Sequence, residues 1–111
     1  MKFIQAIIEP TRLDAVTQAL ADAEIFRFTV CEVEGKGHHK AVASIGEGRL
    51  ELDFMPMLKL EIALNDAFVG PAINAIVLGS GGIAAGIGKI VVLPLEDAVR
   101  VRTGERGPDA I

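Results

Sequence analysis

The residues best suited to chemistry lie in the last quarter of this 111-residue chain. A glycine-rich stretch runs from Gly79 to Gly88, Lys89 follows it directly, and Arg100 and Arg102 come after an apolar run. Glycines let backbone N–H groups approach a phosphate closely, and lysine and arginine supply the opposite charge. In an extended segment, two arginines spaced by one residue lie on the same side. These residues predict an anion site, and a nucleotide is the ligand that suits it.

Each of these features also has a purely structural interpretation. The glycines suit an ordinary connection between a helix and a strand, and the arginines could pair with acidic neighbours such as Asp97. A Walker A loop is excluded because Ile90, rather than serine or threonine, follows Gly88 and Lys89. No arrangement of serine, histidine and aspartate, or of cysteine and histidine, identifies catalytic residues, so we do not predict an enzyme.

His38 and His39 offer an alternative, a trimeric ferredoxin-like module for metal binding or metal tolerance. Neighbouring histidines in an extended loop point apart, and a third ligand would have to be an aspartate or glutamate, so we predict no metal site. Cys31 is the one cysteine, which excludes an internal disulfide and fits a reducing compartment. We expect it to pack as a small apolar residue.

Composition indicates a soluble, cytoplasmic protein. The net charge of −4 argues against a general nucleic-acid binder. Residues 67–88 carry no charge and are long enough to span a bilayer, but Pro71, Asn74 and several glycines argue against a helix facing lipid. No membrane insertion is therefore expected, and the N-terminal residues do not resemble a signal peptide.

Hydrophobic periodicity predicts one α+β domain over 1–111, with a ferredoxin-like βαββαβ order and a long loop between the second and third strands. Thr11 is the predicted N-cap of the first helix. The second helix is expected to begin near Gly70, with Pro71 in its first turn. Its inner face is expected to hold Val69, Ile73, Ile76 and Val77. The predicted bounds are 2–8, 26–34, 58–64 and 89–95 for the strands and 11–24 for the first helix.

Four stretches resemble the PII nitrogen-regulatory proteins: MKFIQAIIEPTRLDAVTQAL, FTVCEVEGKGHHK, FMPMLKLEI and GKIVVLPLEDAVRVRTGERG. The resemblance covers nearly the whole chain. It implies a compact homotrimer with a T-loop at about 37–55, a B-loop at about 79–89 and a C-terminal segment at 96–111. It also implies that ATP or ADP, with Mg²⁺ as a candidate companion, binds in the clefts between subunits.

The resemblance also implies which residues surround the nucleotide. One group would line the adenine and ribose region, a second would lie at the base of the T-loop, a third would form the B-loop, and two arginines would come from the neighbouring subunit. In that order they are Thr29, Glu61 and Ala63; Gly35, Gly37 and His38; Gly86, Ile87, Gly88 and Lys89; and Arg100 and Arg102.

Several positions depart from the family pattern. His39 replaces a glutamine that helps to hold Mg²⁺ and 2-oxoglutarate, Met57 replaces a lysine that pairs with 2-oxoglutarate, and Ile87 replaces an aspartate of the B-loop. The chain has no tyrosine to be modified. The resemblance therefore implies a divergent signal-transduction regulator that binds ATP or ADP and acts through its T-loop on a transporter or enzyme. A response to 2-oxoglutarate is not expected.

Overall fold

The structure, a computed structural model, describes residues 1–36, 54–81 and 88–111, together with the backbone of 44–45 and 49–50. Two short 3-10 helices, Pro10–Arg12 and Gly107–Ala110, accompany the main elements. In chain order, the main elements are β1 (Lys2–Ile8), α1 (Leu13–Asp22), β2 (Thr29–Gly35), β3 (Ser44–Ile45), β4 (Arg49–Leu50), β5 (Met55–Leu64), α2 (Asp66–Gly79) and β6 (Lys89–Pro94).

The four longer strands form one antiparallel sheet in the order β2-β5-β1-β6. Ile62 of β5 lies opposite Ile4 of β1, and Ile4 lies opposite Val92 of β6. The short strands β3 and β4 pair with each other in a separate two-stranded sheet. With the helices connecting β1 to β2 and β5 to β6, this is the ferredoxin-like order. The predicted α+β class and fold are confirmed.

The core lies between the helices and one face of the sheet. Side chains alternate between the two faces of a strand, so Ile4, Ala6 and Ile8 of β1 point to the helices and are buried. From α1, Val16 and Leu20 reach the same core and are fully buried. Burying one such aliphatic side chain contributes about 1.5–3 kcal/mol, so this shared interior holds the helices against the sheet.

Helix α2 meets α1 through small residues. Its buried positions are Ala72, Ala75, Ile76 and Gly79, whereas Val77, which was expected inside, is 49% exposed. A Cβ atom added to Gly79 would lie 2.6 Å from the Cα atom of Val16. Ile76 is buried, and Val69 and Ile73 pack against the core, as predicted. The face differs from the prediction at Val77, because α1 and α2 pack so closely that small residues occupy their contact.

Pro71 does not delay the start of α2. The helix begins at Asp66 rather than near Gly70, which corrects the prediction, and Pro71 lies inside it. Proline lacks the N–H that would bond to the carbonyl of Ala67, but both residues are exposed, so water can satisfy that carbonyl. Gly70 has no Cβ, which relieves part of the steric conflict that a residue before proline meets in a helix.

Other boundaries also differ from the predictions. Thr11 does not cap α1, because Pro10 starts a 3-10 turn in which the Arg12 N–H donates to the Glu9 carbonyl at 3.0 Å. β2 begins at Thr29 rather than at residue 26, and β5 begins at Met55. Pro56 is tolerated inside β5 because that part of the strand extends beyond the end of β1 and has only β2 beside it.

Cys31 is exposed, which corrects the expectation that it packs as an apolar core residue. It lies opposite Lys59 on the sheet face away from the helices. Within the described part of the chain, no helix is long and apolar enough to cross a membrane. The longest described helix, α2, has 14 residues.

The predicted loops are only partly described. β3 and β4 pair within the stretch predicted as the T-loop, and Met55, its last residue, begins β5. Gly79, the first residue of the predicted B-loop, still belongs to α2. The remaining residues of both loops, 37–43, 46–48, 51–53 and 82–87, lie outside the described residues.

Candidate functional site

Three of the predicted ligand-binding residues come together on the sheet face away from the helices. Thr29 of β2 lies directly opposite Glu61 of β5, and Ala63 follows Glu61 on the same face. These three residues line a groove of about 610 Å³ together with Phe3, Arg27, Phe28, Ala98, Ala110 and Ile111. The apolar lining suits the face of a nucleotide base, and Thr29 and Glu61 offer hydrogen-bonding groups at its edge.

Glu61 carries the negative charge of this groove. Its Oε1 atom lies 3.9 Å from the Nζ atom of Lys59, and both side chains are 31% exposed. An ion pair with this much exposure contributes under about 1 kcal/mol. The carboxylate can therefore accept hydrogen bonds from a ligand without losing a strong internal interaction.

A second cavity, of about 370 Å³, adjoins the groove. The two share the lining residues Arg27, Ala63 and Ile111. The second cavity also reaches Arg100 and the exposed ring of Phe26. Arg100 of the predicted arginine pair is therefore brought close to the groove that holds Thr29 and Glu61.

Arg27 is a residue that the sequence analysis missed. It lines both cavities and is exposed. The available signal was its spacing, because Arg27 precedes Thr29 by two residues and extended backbone places such residues on one side. The cation next to the groove adds to the attraction for an anionic ligand.

The arginines lie in a hairpin rather than in an extended segment, which corrects the prediction. The Arg100 N–H donates to the Glu105 carbonyl at 2.9 Å, and the Gly104 N–H donates to the Arg100 carbonyl at 2.7 Å. Val99 and Arg106 form an antiparallel bridge below this turn. Gly104 has a φ of +75°, which glycine adopts readily, so the chain can reverse there.

The two arginines have different surroundings within this hairpin. The Nη1 atom of Arg100 lies 3.6 Å from Oε1 of Glu105, and its Nη2 atom donates to the Asp109 carbonyl at 3.3 Å. Arg102 lies in the turn and is exposed. Arg100 is thus held against its own C-terminal segment, whereas Arg102 projects from the hairpin.

Gly88 and Lys89 lie at the start of β6, the edge strand on the opposite side of the sheet from β2. Gly88 has a φ of +135°, and a Cβ atom there would lie 2.6 Å from the Ile7 carbonyl oxygen, so only glycine fits. Lys89 pairs with Ile7, whereas the opposite end of β6 pairs with Lys2. Because Glu61 pairs with Gln5, Lys89 lies two residues further along the sheet than Glu61, about 7 Å, and two strands away from it, about 10 Å.

Gly35 lies at the end of β2, on the opposite edge of the sheet from Lys89. It pairs with Met55, and a Cβ atom there would lie 2.8 Å from the Sδ atom of Met57. One chain therefore divides the predicted residues between the two edges of its sheet, with Thr29 and Gly35 on β2 and Gly88 and Lys89 at the start of β6. The remaining predicted residues, Gly37, His38, His39, Gly86 and Ile87, lie outside the described residues.

No group of three or more candidate metal ligands occurs within residues 1–36, 54–81 and 88–111. The two histidines of the metal alternative are not among these residues. The alternative therefore stays a prediction from the sequence.

Asp97 anchors the hairpin. Its Oδ2 atom accepts a hydrogen bond from Nε of Arg106 at 3.1 Å, and its Oδ1 atom accepts one from the Ala98 N–H at 2.9 Å. These hydrogen bonds, that to Arg106 first, lower the pKa of Asp97 below its ordinary value. The carboxylate therefore stays charged to a more acid pH than an ordinary aspartate does.

The lowered pKa of Asp97 predicts how the hairpin responds to acid. A depressed carboxyl pKa stabilises the folded state above about pH 4, and this contribution is lost as the pH falls through the lowered pKa. An NMR titration of the Asp97 carboxyl carbon should show a midpoint below that of an aspartate in a short peptide. In the R106A variant the midpoint should rise. An ordinary midpoint in the unaltered protein would contradict the described geometry.

Comparison with known proteins places these features in a family. A family model described as Nitrogen regulatory protein P-II matches residues 1–105. Nitrogen regulatory protein GlnK1 of Methanosarcina mazei is 44% identical over all of this chain and 97% of its own length. The proteins named nitrogen regulatory protein P-II from Cereibacter sphaeroides and Azospirillum brasilense are each 43% identical over both full chains. This chain therefore belongs to the P-II family of nitrogen regulatory proteins, which makes it a signal-transduction regulator.

Proposed function

We propose that this regulator binds ATP or ADP in the clefts between the subunits of a homotrimer. One observation carries the proposal, namely that a single chain places Thr29 and Lys89 on the two opposite edge strands of its sheet, β2 and β6. Three strand spacings, about 14 Å, separate these edges. Residues on opposite edges can meet around one nucleotide when they come from neighbouring copies of the chain.

The sheet face away from the helices supports such an assembly. Among the described residues, the C-terminal segment lies against one part of this face through Ala98, Ala110 and Ile111. Elsewhere the face carries apolar side chains such as Val91 and Leu93, which are 39% and 42% exposed. In a cyclic trimer each contact is head-to-tail, so one end of a subunit can meet the opposite end of its neighbour. The groove with Arg100 and Arg102 would then face the Gly88-Lys89 end of the next subunit.

The chemistry of the combined site suits a nucleotide polyphosphate. The groove accepts the base and ribose, Gly88 offers a backbone N–H, and Lys89 offers a positive charge. Arg100 and Arg102 add two guanidinium groups that can each bind phosphate oxygens with two hydrogen bonds. Mg²⁺ would neutralise the remaining phosphate charge.

Regulation would operate through the long loop at residues 37–55. Nucleotide occupancy would bias this loop between conformations, and the loop would dock on a partner transporter or enzyme. Nitrogen status is the input that the names of the relatives suggest. The protein would act without catalysis and without insertion into a membrane, and its net charge of −4 disfavours nucleic acid as the partner.

Met57 argues against 2-oxoglutarate as a second effector. Its side chain carries no charge, is 6% exposed and packs beside Gly35. A carboxylate placed there would lose hydration without gaining an opposite charge. Met57, with its buried thioether, occupies the position at the base of the loop where a lysine would supply a cation.

Calorimetric titration of the metal-stripped protein with ATP, ADP and AMP tests the proposal. Each titration should be run with and without Mg²⁺, 2-oxoglutarate and bicarbonate. We expect micromolar binding of ATP or ADP that 2-oxoglutarate leaves unchanged, and nucleotide turnover no faster than the background. The absence of nucleotide binding would contradict the proposal and would favour the metal module of His38 and His39. Binding strengthened by 2-oxoglutarate would contradict the role given to Met57.

A further inference from the structure

Residues 108–111 lie against the groove proposed for the nucleotide base. Ala110 and Ile111 line the larger cavity together with Thr29 and Glu61. Ile111 also lines the adjoining cavity that reaches Arg100. Because Ile111 lines both cavities, it lies at the boundary between them, and its departure would enlarge the space open to a ligand.

Two hydrogen bonds hold this segment in place. The Nδ2 atom of Asn65 donates to the Pro108 carbonyl at 3.1 Å, and Nη2 of Arg100 donates to the Asp109 carbonyl at 3.3 Å. The segment itself is a 3-10 turn, and Ile111 is half-buried. Single hydrogen bonds of this kind contribute about 0.5–1.5 kcal/mol, so the segment can leave at modest cost.

Arg100 links the segment to the ligand. The same guanidinium that is proposed to bind phosphate donates to the Asp109 carbonyl and lies near the carboxylate of Glu105. A phosphate is a stronger acceptor than a neutral carbonyl because its hydrogen bonds are charge-assisted. When Arg100 turns to a phosphate it must weaken or release its hold on residue 109.

We propose that residues 108–111 form a displaceable plug that competes with the nucleotide for the base groove and for Arg100. This inference rests on the proposed function, because it concerns the regulation of the same site. Nucleotide binding releases the plug. The docked plug lowers the apparent affinity for nucleotide, which equals the affinity of the open groove multiplied by the fraction of molecules in which the groove is open. The coupling is reciprocal, so the nucleotide weakens docking of the plug by the same factor.

Two variants loosen the plug without touching the proposed ligand contacts. I111A removes most of the side chain that lies between the cavities. N65A removes the hydrogen bond to Pro108, and it removes no capping hydrogen bond because the Asn65 side chain makes none to α2. D109E is the matched control, since it keeps the charge and the backbone carbonyl that Arg100 binds.

The first readout is ATP affinity by calorimetry. We expect I111A and N65A each to bind ATP about threefold to tenfold more tightly than the unaltered protein, and D109E to match it. Tighter binding of both variants, including the case in which only the variants bind measurably, supports the plug. If the unaltered protein binds ATP and neither variant binds it more tightly, the plug is overturned while the proposed function stands. If no form binds ATP, both proposals fail.

The second readout is the δ1 methyl signal of Ile111 in a methyl-labelled protein. Addition of ATP should sharpen this signal and move it toward the position of an unstructured isoleucine, because the segment leaves the groove. In N65A the signal should lie closer to that position before ATP is added. A methyl signal that stays at its docked position when ATP saturates the protein would overturn displacement.

Discussion

Replacing Arg100 and Arg102 with alanine should weaken ATP binding by about two to four orders of magnitude. Net contributions of hydrogen bonds to charged groups are about 1.5–3 kcal/mol each. Loss of two such interactions amounts to about 3–6 kcal/mol, and every 1.4 kcal/mol is a tenfold change in affinity. Both side chains can be truncated with little risk to the fold, because neither is buried. Calorimetric titration of the purified double variant measures the loss.

Two controls make this loss interpretable. Lysine at both positions keeps the charge but cannot form the paired hydrogen bonds of a guanidinium, so an intermediate loss is expected. Q18A changes an exposed residue of α1, whose helix packs on the sheet face opposite to the groove, and should bind ATP as the unaltered protein does. Unchanged affinity of the double alanine variant would show that the two arginines do not bind the nucleotide.

Replacing Gly79 with alanine should destabilise the protein by about 1–3 kcal/mol, although alanine favours helices. A Cβ atom at this position would lie 2.6 Å from Cα and 2.8 Å from N of Val16. Both contacts are with backbone, so neither can be relieved by a side-chain rotation, and α1 and α2 must move apart. The gain in helix propensity is at most about 1 kcal/mol and does not offset that strain. Urea unfolding at a fixed protein concentration measures the difference.

Asn74 in the same helix supplies the control. It is exposed, and N74A should change the free energy of unfolding by no more than about 0.5 kcal/mol. If G79A were as stable as the unaltered protein, the described close packing of α1 and α2 at Gly79 would be contradicted.

The sequence predicted the fold from its clearest periodicities. Leu58, Leu60, Ile62 and Leu64 alternate with more polar residues, and all four are buried on the helix side of β5. The order of strands and helices follows from such patterns and from the spacing between them. The start of α2 could not be predicted, because whether Pro71 ends a helix depends on exposure of the carbonyl that it leaves unpaired.

Hydrophobicity predicted the inner face of α2 only in part, because Val69, Ile73 and Ile76 contact the core and Val77 does not. The size of the side chain decides which residues of α2 face α1. The two helices approach so closely that Ala72, Ala75 and Gly79 are buried there and Val77 is not. The exposure of Cys31 could not be predicted from the sequence either. Which face of a sheet the helices cover depends on register and handedness, which a single short strand does not reveal.

The residue types of the candidate site were predictable, but their placement was not. Thr29 and Glu61 were assigned together from the resemblance, and the register places them opposite each other. The hairpin of Arg100 was missed because its turn depends on Gly104 at a positive φ and on hydrogen bonds between residues several positions apart. Arg27 was missed because no motif contains it.

The most direct test of the account asks whether the site is shared between chains. K89A removes the lysine at the start of β6, and the R100A/R102A double variant removes the two arginines of the hairpin. The two variants should be co-expressed with different affinity tags, and trimers containing both should be purified on both tags in succession. Each variant alone should bind ATP weakly, whatever its concentration.

In every mixed trimer, one of the three contacts joins an intact Lys89 from one subunit to intact Arg100 and Arg102 from another. Calorimetry of these trimers should therefore recover about one ATP site per trimer at the affinity of the unaltered protein. Mixed trimers with no recovered site would contradict a binding site built between subunits, and the account of this protein's function would fall with it.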